Sequence, residues 1–324
     1  MPGLIALSVI LSVLSYRFLE QPCRRRVALR LLLGGLASSA GALTCIALVF
    51  LFAAQYRPLD LPFSRWAERN LDPEILAYLS KDGGEQGCGD RTATGFRHCP
   101  FGTPGQPVSF VLWGDSLAGA MLPGLDSLAS ARGFAGEAYY VPGCPPVTSL
   151  HMTTGECDAK THARILDSIA ALPAPALVII TGNFDGAMRS PTIRIAGAPA
   201  STEAVQAKVT EAVQRLQSLG HRVVIVEQGP VFPEPVAQAM LLNTRNGSSS
   251  VPFVPLSDHL ATVVGSRLLA EPADLYIPTD QFFCDANACP ALGPDGRIVI
   301  YDRNHVTRHY SEKLAEFVAD RAGL

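Results

Sequence analysis

The stretch Val108-Ser109-Phe110-Val111-Leu112-Trp113-Gly114-Asp115-Ser116 decides how this chain is read. An apolar run of strand length stops at a glycine, an acid and a hydroxyl follow, and Ala118 to Ala131 then carries apolar residues at helical spacing. The alternation returns downstream. Ala176 to Thr181 is a second β-rich run, Glu203 to Leu219 reads as an amphipathic helix closed by Gly220, Arg222 to Val226 as a strand, and Thr307 to Ala322 as the last helix. Strands alternating with helices predict an α/β fold whose parallel sheet is covered on both faces.

Upstream the character changes. Arg57 to Pro107 is rich in Pro, Gly and charge and reads as a linker with a short helix near Pro73 to Leu79. From Met1 to Tyr56 the only charged side chains are Arg17, Glu20, Arg24, Arg25, Arg26 and Arg30, all between two apolar runs. Leu31 to Ala54 is 24 residues without a charge. At about 1.5 Å per residue such a helix crosses a hydrocarbon core of roughly 30 Å. Met1 to Tyr16 is of marginal length. An arginine-rich connection stays in the cytoplasm, so both ends of this transmembrane hairpin, and everything after Tyr56, lie on the other side. The expected organisation is a hairpin over 1–56, an exported linker over 57–107 and an exported α/β domain over 108–324. A signal peptide ending near Ala53-Ala54 is the rival reading, but its apolar run exceeds a typical h-region, and cleavage would not change the side. A buried soluble helix pair would need a polar face, and none interrupts Leu31 to Ala54.

A chain of 324 residues that is 48% hydrophobic and 17% charged is too apolar for disorder, and a net charge of −3 does not suit a nucleic-acid binder. Setting aside residues 1–56 leaves 21 basic against 28 acidic side chains, or −7. The exported part has no electrostatic reason to hold nucleic acid or anionic lipid. It contains Cys88, Cys99, Cys144, Cys157, Cys284 and Cys289, an even number in an oxidising space. They fall in three close sequence pairs, and Cys88–Cys99, Cys144–Cys157 and Cys284–Cys289 are the expected disulfides. A zinc site using His98 or His151 is the rival, without C-x-x-C or H-x-x-x-H spacing behind it.

In a parallel sheet, sites form at the carboxyl ends of strands. Three such places carry candidate chemistry. Ser116 follows the first strand and opens a helix, where its hydroxyl can act as a nucleophile and its backbone N–H can face a developing oxyanion; a plain helix cap by Asp115 or Ser116 is the bland alternative. Asp302-Arg303-Asn304-His305 precedes the last helix. A carboxylate three residues before an imidazole can hold one ring nitrogen and leave the other to accept a proton from serine, although a capped surface loop reads the same way. Asn183, after the Ala176 to Thr181 strand, can donate its amide to an oxyanion or simply serve a Gly-Asn turn. The remaining histidines, His309 included, read as surface or structural residues. No spacing marks a substrate-binding set or a metal site.

Nucleophile, amide donor and terminal Asp-x-x-His in this order resemble the SGNH (GDSL-type) hydrolases, in the form fused to acyltransferase-3 membrane domains. The resemblance rests on Ser15-Tyr16-Arg17-Phe18-Leu19-Glu20-Gln21-Pro22, Leu112-Trp113-Gly114-Asp115-Ser116, Gly143-Cys144-Pro145-Pro146, and the Cys284 to Cys289 segment leading to Tyr301-Asp302-Arg303-Asn304-His305-Val306. It implies a flavodoxin-like three-layer sandwich, with Ser116 as nucleophile, His305 as general base and Asp302 as its orienting carboxylate. Ser116 N–H and Asn183, with Gly143 as a candidate third member, would form the oxyanion hole. Two departures stand out: Gly182 directly precedes Asn183 where the family has Gly-x-Asn, and Gly143 is not an unambiguous counterpart of the second block's glycine.

The resemblance further implies O-acetylation of a surface polysaccharide such as lipopolysaccharide, on the periplasmic side of a bacterial inner membrane. No cofactor is expected on the SGNH domain itself; acetyl-CoA would be the ultimate donor through an acyltransferase-3 domain in the same or another chain. The expected partners are that domain, the lipid bilayer and the glycan acceptor. Only the last helix of the acyltransferase-3 core and an extra linker helix are expected in this sequence, which would begin inside that last core helix. Two other readings stay open: a carbohydrate acetylesterase, and a membrane-anchored glycan-binding module with an inactive triad, which a misaligned Ser116–His305 pair would favour.

Overall fold

The chain divides into two compact units, Met1–Arg69 and Asn70–Leu324. The computed structural model describes residues 95–152, 157–245 and 250–324 of the second, and Val13 and Arg17 alone of the first. The hairpin, most of the linker, its short helix and Cys88 therefore lie outside the described residues. Among the described residues no helix is long and apolar enough to cross a membrane.

The described chain opens with β1 (Arg97–Gly102), β2 (Val108–Gly114), helix α1 (Ser116–Arg132), β3 (Ala135–Tyr140) and β4 (Leu150–Met152). It continues through α2 (Thr161–Ala170), β5 (Leu177–Thr181), α3 (Phe184–Arg189), β6 (Ile193–Ile195), β7 (Ala198–Pro199), α4 (Thr202–Ser218) and β8 (Arg222–Val226). Next come α5 (Val236–Arg245), β9 (Phe253–Pro255), α6 (Leu256–Thr262), α7 (Val264–Arg267), β10 (Leu275–Ile277), α8 (Asp280–Phe283), β11 (Ala288–Pro290) and α9 (Arg308–Ala322). The central sheet has six strands in the order β1-β3-β2-β5-β8-β10. All neighbours are parallel except β1, which runs antiparallel to β3. This is the expected α/β arrangement.

Strand β1 lies inside the stretch read as linker. Phe101 is its only buried side chain and Pro100 interrupts its donors, so no apolar run announces it. An edge strand needs pairing on one side only and tolerates such a sequence.

The buried strands explain the unbroken apolar runs. In β2, Phe110 and Leu112 point to the face covered by α1 and α9, while Val111 and Trp113 point to the face covered by α2 and α4. Strand β5 divides in the same way, with Leu177 and Ile179 on the first face and Val178 and Ile180 on the second. The register places Gly114 beside Thr181 and Thr181 beside Val226, so the turns after β2, β5 and β8 leave the sheet at one level.

Helices α1 and α9 are joined closely. The Ser311 hydroxyl accepts from Gly124 N–H at 2.9 Å and donates to the Met121 carbonyl at 3.0 Å. Gly124 permits this approach, because a β-carbon there would overlap the Ser311 backbone. A small accessory sheet, β4-β6-β7, forms through antiparallel pairing of Leu150–Met152 with Ile193–Ile195.

Candidate active site

Ser116 stands at the first position of α1, half-buried, directly after the β2 turn. Gly114 allows that turn to pass close to β5, since a β-carbon there would meet the Thr181 carbonyl oxygen. Capping and nucleophile geometry are not alternatives here, because two adjacent residues divide them. Asp115 is the cap, its Oδ1 accepting from Leu117 N–H at 2.8 Å. Ser116 keeps its hydroxyl outside the cap, and as first helical residue its N–H has no carbonyl one turn earlier in the helix.

Asp115 also reaches across the sheet. Its Oδ2 accepts from the Asn183 backbone N–H at 2.8 Å, holding the turn after β5 against the turn after β2. Burial pushes the carboxyl above its ordinary range, while the two N–H donors and the nearby His305 oppose that shift.

His305 arrives from the far end of the sequence. The segment before α9 folds back so that Tyr301 N–H donates to the His305 carbonyl at 3.1 Å. Phe232, Val236 and Ala237 donate their N–H groups to the carbonyls of Arg303, Asp302 and Tyr301, so this turn is anchored along its length. Asp302 Oδ1 accepts from the backbone N–H groups of Asn304 and His305 at 3.0 and 2.8 Å. Its other oxygen lies 2.6 Å from His305 Nδ1, and His305 Nε2 lies 2.7 Å from Ser116 Oγ. The Tyr301 ring stacks beside the imidazole at 5.9 Å.

Burial raises the Asp302 carboxyl, but the hydrogen bonds and charge of His305 together with the two backbone donors outweigh it, and the net shift is downward. An ionised Asp302 can only accept, so Nδ1 carries the proton and Nε2 of a neutral ring is left to accept from Ser116 O–H. This is the arrangement a serine nucleophile requires. The pair is aligned and reachable, with 19% of the His305 side chain exposed.

Asn183, Gly143 and Ser116 line one cleft of about 240 Å³, together with Pro145, Met152, Ser190, Ile193 and Asn304 among others. Asn183 caps α3, accepting from Gly186 N–H through Oδ1 at 2.8 Å. The cap fixes the amide, with Nδ2 at its other end. The Gly182-Asn183 adjacency has a local reason: a β-carbon on Gly182 would meet the Pro146 ring. Gly143 is exposed at φ +72° in a turn closed by Cys144 N–H to the Val141 carbonyl at 3.0 Å.

The wall carrying Gly143, Pro145 and Met152 is pinned from behind. Cys144 is bonded to Cys157, as the sequence pairing predicts. His162, buried beneath, accepts from Trp113 Nε1–H at 3.0 Å through Nδ1, which leaves Nε2–H to donate to the Cys144 carbonyl at 3.0 Å. Burial lowers its pKa to about 4, against a smaller opposing effect of that carbonyl. Cys284–Cys289 also forms as expected, packed beside the core away from the cleft. Cys99 is disulfide-bonded too, whereas Cys88 lies outside the described residues.

His98 pairs with Glu137 at 2.6 Å and stacks on Tyr139. His309 joins Asp295 on the surface at 2.9 Å. Among the described residues no group of three or more His, Cys, Asp or Glu side chains is placed to hold a metal ion. Sequence reasoning missed the second bond of Asp115, the support from His162 and the place of Asn304 in the cleft. Only Asp115 carried a signal, since a cap uses one carboxylate oxygen and leaves another to be satisfied.

Residues 85–320 match the model of the SGNH domain that is fused to AT3 domains. No curated protein matches the sequence. Among solved structures, the lipopolysaccharide acetyltransferase periplasmic domain of Salmonella ser. Paratyphi A aligns with a TM-score of 0.54 at 14% identity, covering 79% of this chain and 97% of that one. A carbohydrate acetylesterase from Sinorhizobium meliloti aligns with a TM-score of 0.37 at 14% identity, over 67% of this chain and 98% of that one.

Proposed function

Because this chain belongs to the family of SGNH domains fused to AT3 domains, we propose that it transfers acyl groups, acetyl in the simplest case, to hydroxyls of a cell-surface polysaccharide or lipopolysaccharide. The observation that carries this reading is the continuous chain from Asp302 through His305 to Ser116, with contacts of 2.6 and 2.7 Å. Ser116 Oγ attacks the acyl carbonyl as His305 Nε2 takes its proton, and Asp302 stabilises the imidazolium. Ser116 N–H and the Asn183 amide, with Gly143 beside them, receive the developing oxyanion. The imidazolium returns its proton to the leaving group, and an acyl-Ser116 ester remains. A sugar hydroxyl then attacks that ester, gives its proton to His305, and leaves esterified as Ser116 is restored.

The acyl supply lies elsewhere in this scheme. A hairpin over 1–56 anchors the chain in the inner membrane, the linker 57–107 follows, and the domain faces the periplasm. An AT3 domain, in the same or another chain, delivers acetyl drawn from acetyl-CoA, and the SGNH domain needs no cofactor of its own. The open mouth of the cleft supports a second reading, since water in place of the sugar makes the protein a carbohydrate acetylesterase. An aligned Ser116–His305 pair gives the inactive glycan-binding reading no support.

The test uses the full-length protein and p-nitrophenyl acetate, wild type against Ser116→Ala, with and without glycan acceptors. Loss of turnover in the variant and diversion of acetyl from water to sugar are the expected results. Acetate as the sole product favours the esterase, and equal turnover of the two proteins removes the serine mechanism.

A further inference from the structure

The cleft beside Ser116 has a composition that selects among acceptors. Its polar lining consists of Ser116, Asn183, Ser190 and Asn304, which exchange hydrogen bonds without carrying charge. Pro145, Met152 and Ile193 supply an apolar side on which the C–H face of a pyranose can rest. Among the described residues, the one charged member of the lining is Asp115, an acid buried and bonded to two backbone donors.

No cation compensates it among the described lining residues. Three arginines adjoin lining residues in sequence: Arg189 donates to the Thr262 carbonyl at 3.3 Å, Arg303 Nε donates to the Phe232 carbonyl at 3.0 Å, and Arg194 follows Ile193 on β6, where strand alternation turns it to the opposite face. At about 240 Å³ the cleft is smaller than the roughly 300–1,000 Å³ of pockets that enclose drug-sized ligands.

We infer that this cleft receives one uncharged sugar ring of the acceptor and rejects acidic sugars, an inference that rests on the acyl-transfer reading. A hexose hydroxyl exchanges its water bonds for bonds to Ser190 or Asn304 at little loss. A uronate carboxylate gives up its hydration, finds no arginine or lysine among the described lining residues and approaches the carboxylate of Asp115. The small sheet fixes the apolar side of the cleft, because Met152 on β4 and Ile193 on β6 are held together by their pairing.

The experiment is saturation-transfer NMR on the full-length protein without acyl donor, using paired methyl hexosides and methyl hexuronides that differ only at C6. The neutral member of a pair is expected to bind at least about tenfold more tightly, the ratio that a single unfavourable charged contact of modest size produces. Ser190→Lys, which places a cation on the lining, is expected to narrow or invert that ratio. Equal or tighter binding of the uronides, binding of neither class, or an unaltered ratio in Ser190→Lys overturns the inference. The transfer reading is scored separately, by intact-mass detection of acetyl on Ser116 after p-nitrophenyl acetate. Its absence removes that reading and leaves the NMR ratio interpretable.

Discussion

The Asn183 backbone N–H donates to Asp115 Oδ2 at 2.8 Å, so the turn that presents the nucleophile and the turn that presents the amide are one hydrogen-bonded unit. Both oxygens of Asp115 are used, because Oδ1 holds Leu117 N–H. In Asp115→Asn, one of two inward-pointing N–H groups faces an NH₂ instead of an oxygen. The variant is expected to lose about 1–3 kcal/mol in urea unfolding at pH 7, the cost of leaving a buried donor unsatisfied. Turnover of p-nitrophenyl acetate should fall with it. A variant as stable and as active as wild type would show that this bond does not position Ser116.

His162 makes stability depend on pH in a defined window. Its folded pKa of about 4 lies below its ordinary value of 6.5, so between those values the native state holds fewer protons than the unfolded chain. Stability therefore rises with pH across that window, and wild type is expected to lose about 3 kcal/mol from this group on going from pH 7 to pH 4. His162→Gln can serve both Trp113 and Cys144 without titrating, and its unfolding free energy should lack this component. Parallel pH profiles for the two proteins would remove the assignment.

Asp302 shifts in the opposite sense for an acid. Its folded pKa is below the ordinary 3.8, so its contribution to stability is present above that value and is lost as pH falls through the folded pKa. Asp302→Asn should accordingly be less stable than wild type at pH 7, and the gap should close below the ordinary carboxylate range. The amide also permits the wrong imidazole tautomer, and kcat is expected to drop by about a thousandfold or more. A variant retaining full kcat would exclude Asp302 from orienting His305.

The strands legible in the sequence were those buried on both faces, β2, β5 and β8, because their apolar runs are continuous. Edge strand β1 and the short β4 and β6 were not: β1 buries a single side chain, and β4 and β6 span three residues each, too few for a periodicity to show. Within the site, Ser116, His305, Asp302 and Asn183 each follow a strand or precede a helix, where the chain's punctuation marks them. His162 carried no such mark. Its role depends on Trp113 and Cys144, distant in sequence, meeting around one buried ring, and such a meeting leaves no periodicity to read. Asp115 shows the third case, in which the residue was visible and one of its two bonds was not.

Cys144 and Cys157 are separated by 13 residues, and Cys284 and Cys289 by 5. On a chain-entropy estimate the longer loop is worth about 3 kcal/mol and the shorter about 2 kcal/mol. Replacing Cys144 and Cys157 by alanine should therefore cost more stability. It should also weaken glycan binding, since Gly143, Pro145 and Met152 belong to the wall this bond holds. Replacing Cys284 and Cys289 should lower the unfolding midpoint and leave the acceptor preference unchanged. Equal effects of the two double variants on acceptor binding would contradict this division.

Gly124 sets helix propensity against packing. Alanine at a helical glycine adds about 1 kcal/mol of stability on propensity alone. At this position its β-carbon would overlap the Ser311 backbone, and over-packing of this kind costs about 1–3 kcal/mol. Packing is expected to win, because α1 carries Ser116 at its start, α9 follows the His305 turn, and Ser311 bonds the two helices. Gly124→Ala should thus be less stable and also slower with p-nitrophenyl acetate, through a shift of Ser116 against His305. Ser311→Ala, which removes the hydroxyl without adding volume, should cost about 1 kcal/mol and have the smaller effect on rate. A stabilised Gly124→Ala protein would mean that α1 and α9 can separate without disturbing the pair they carry.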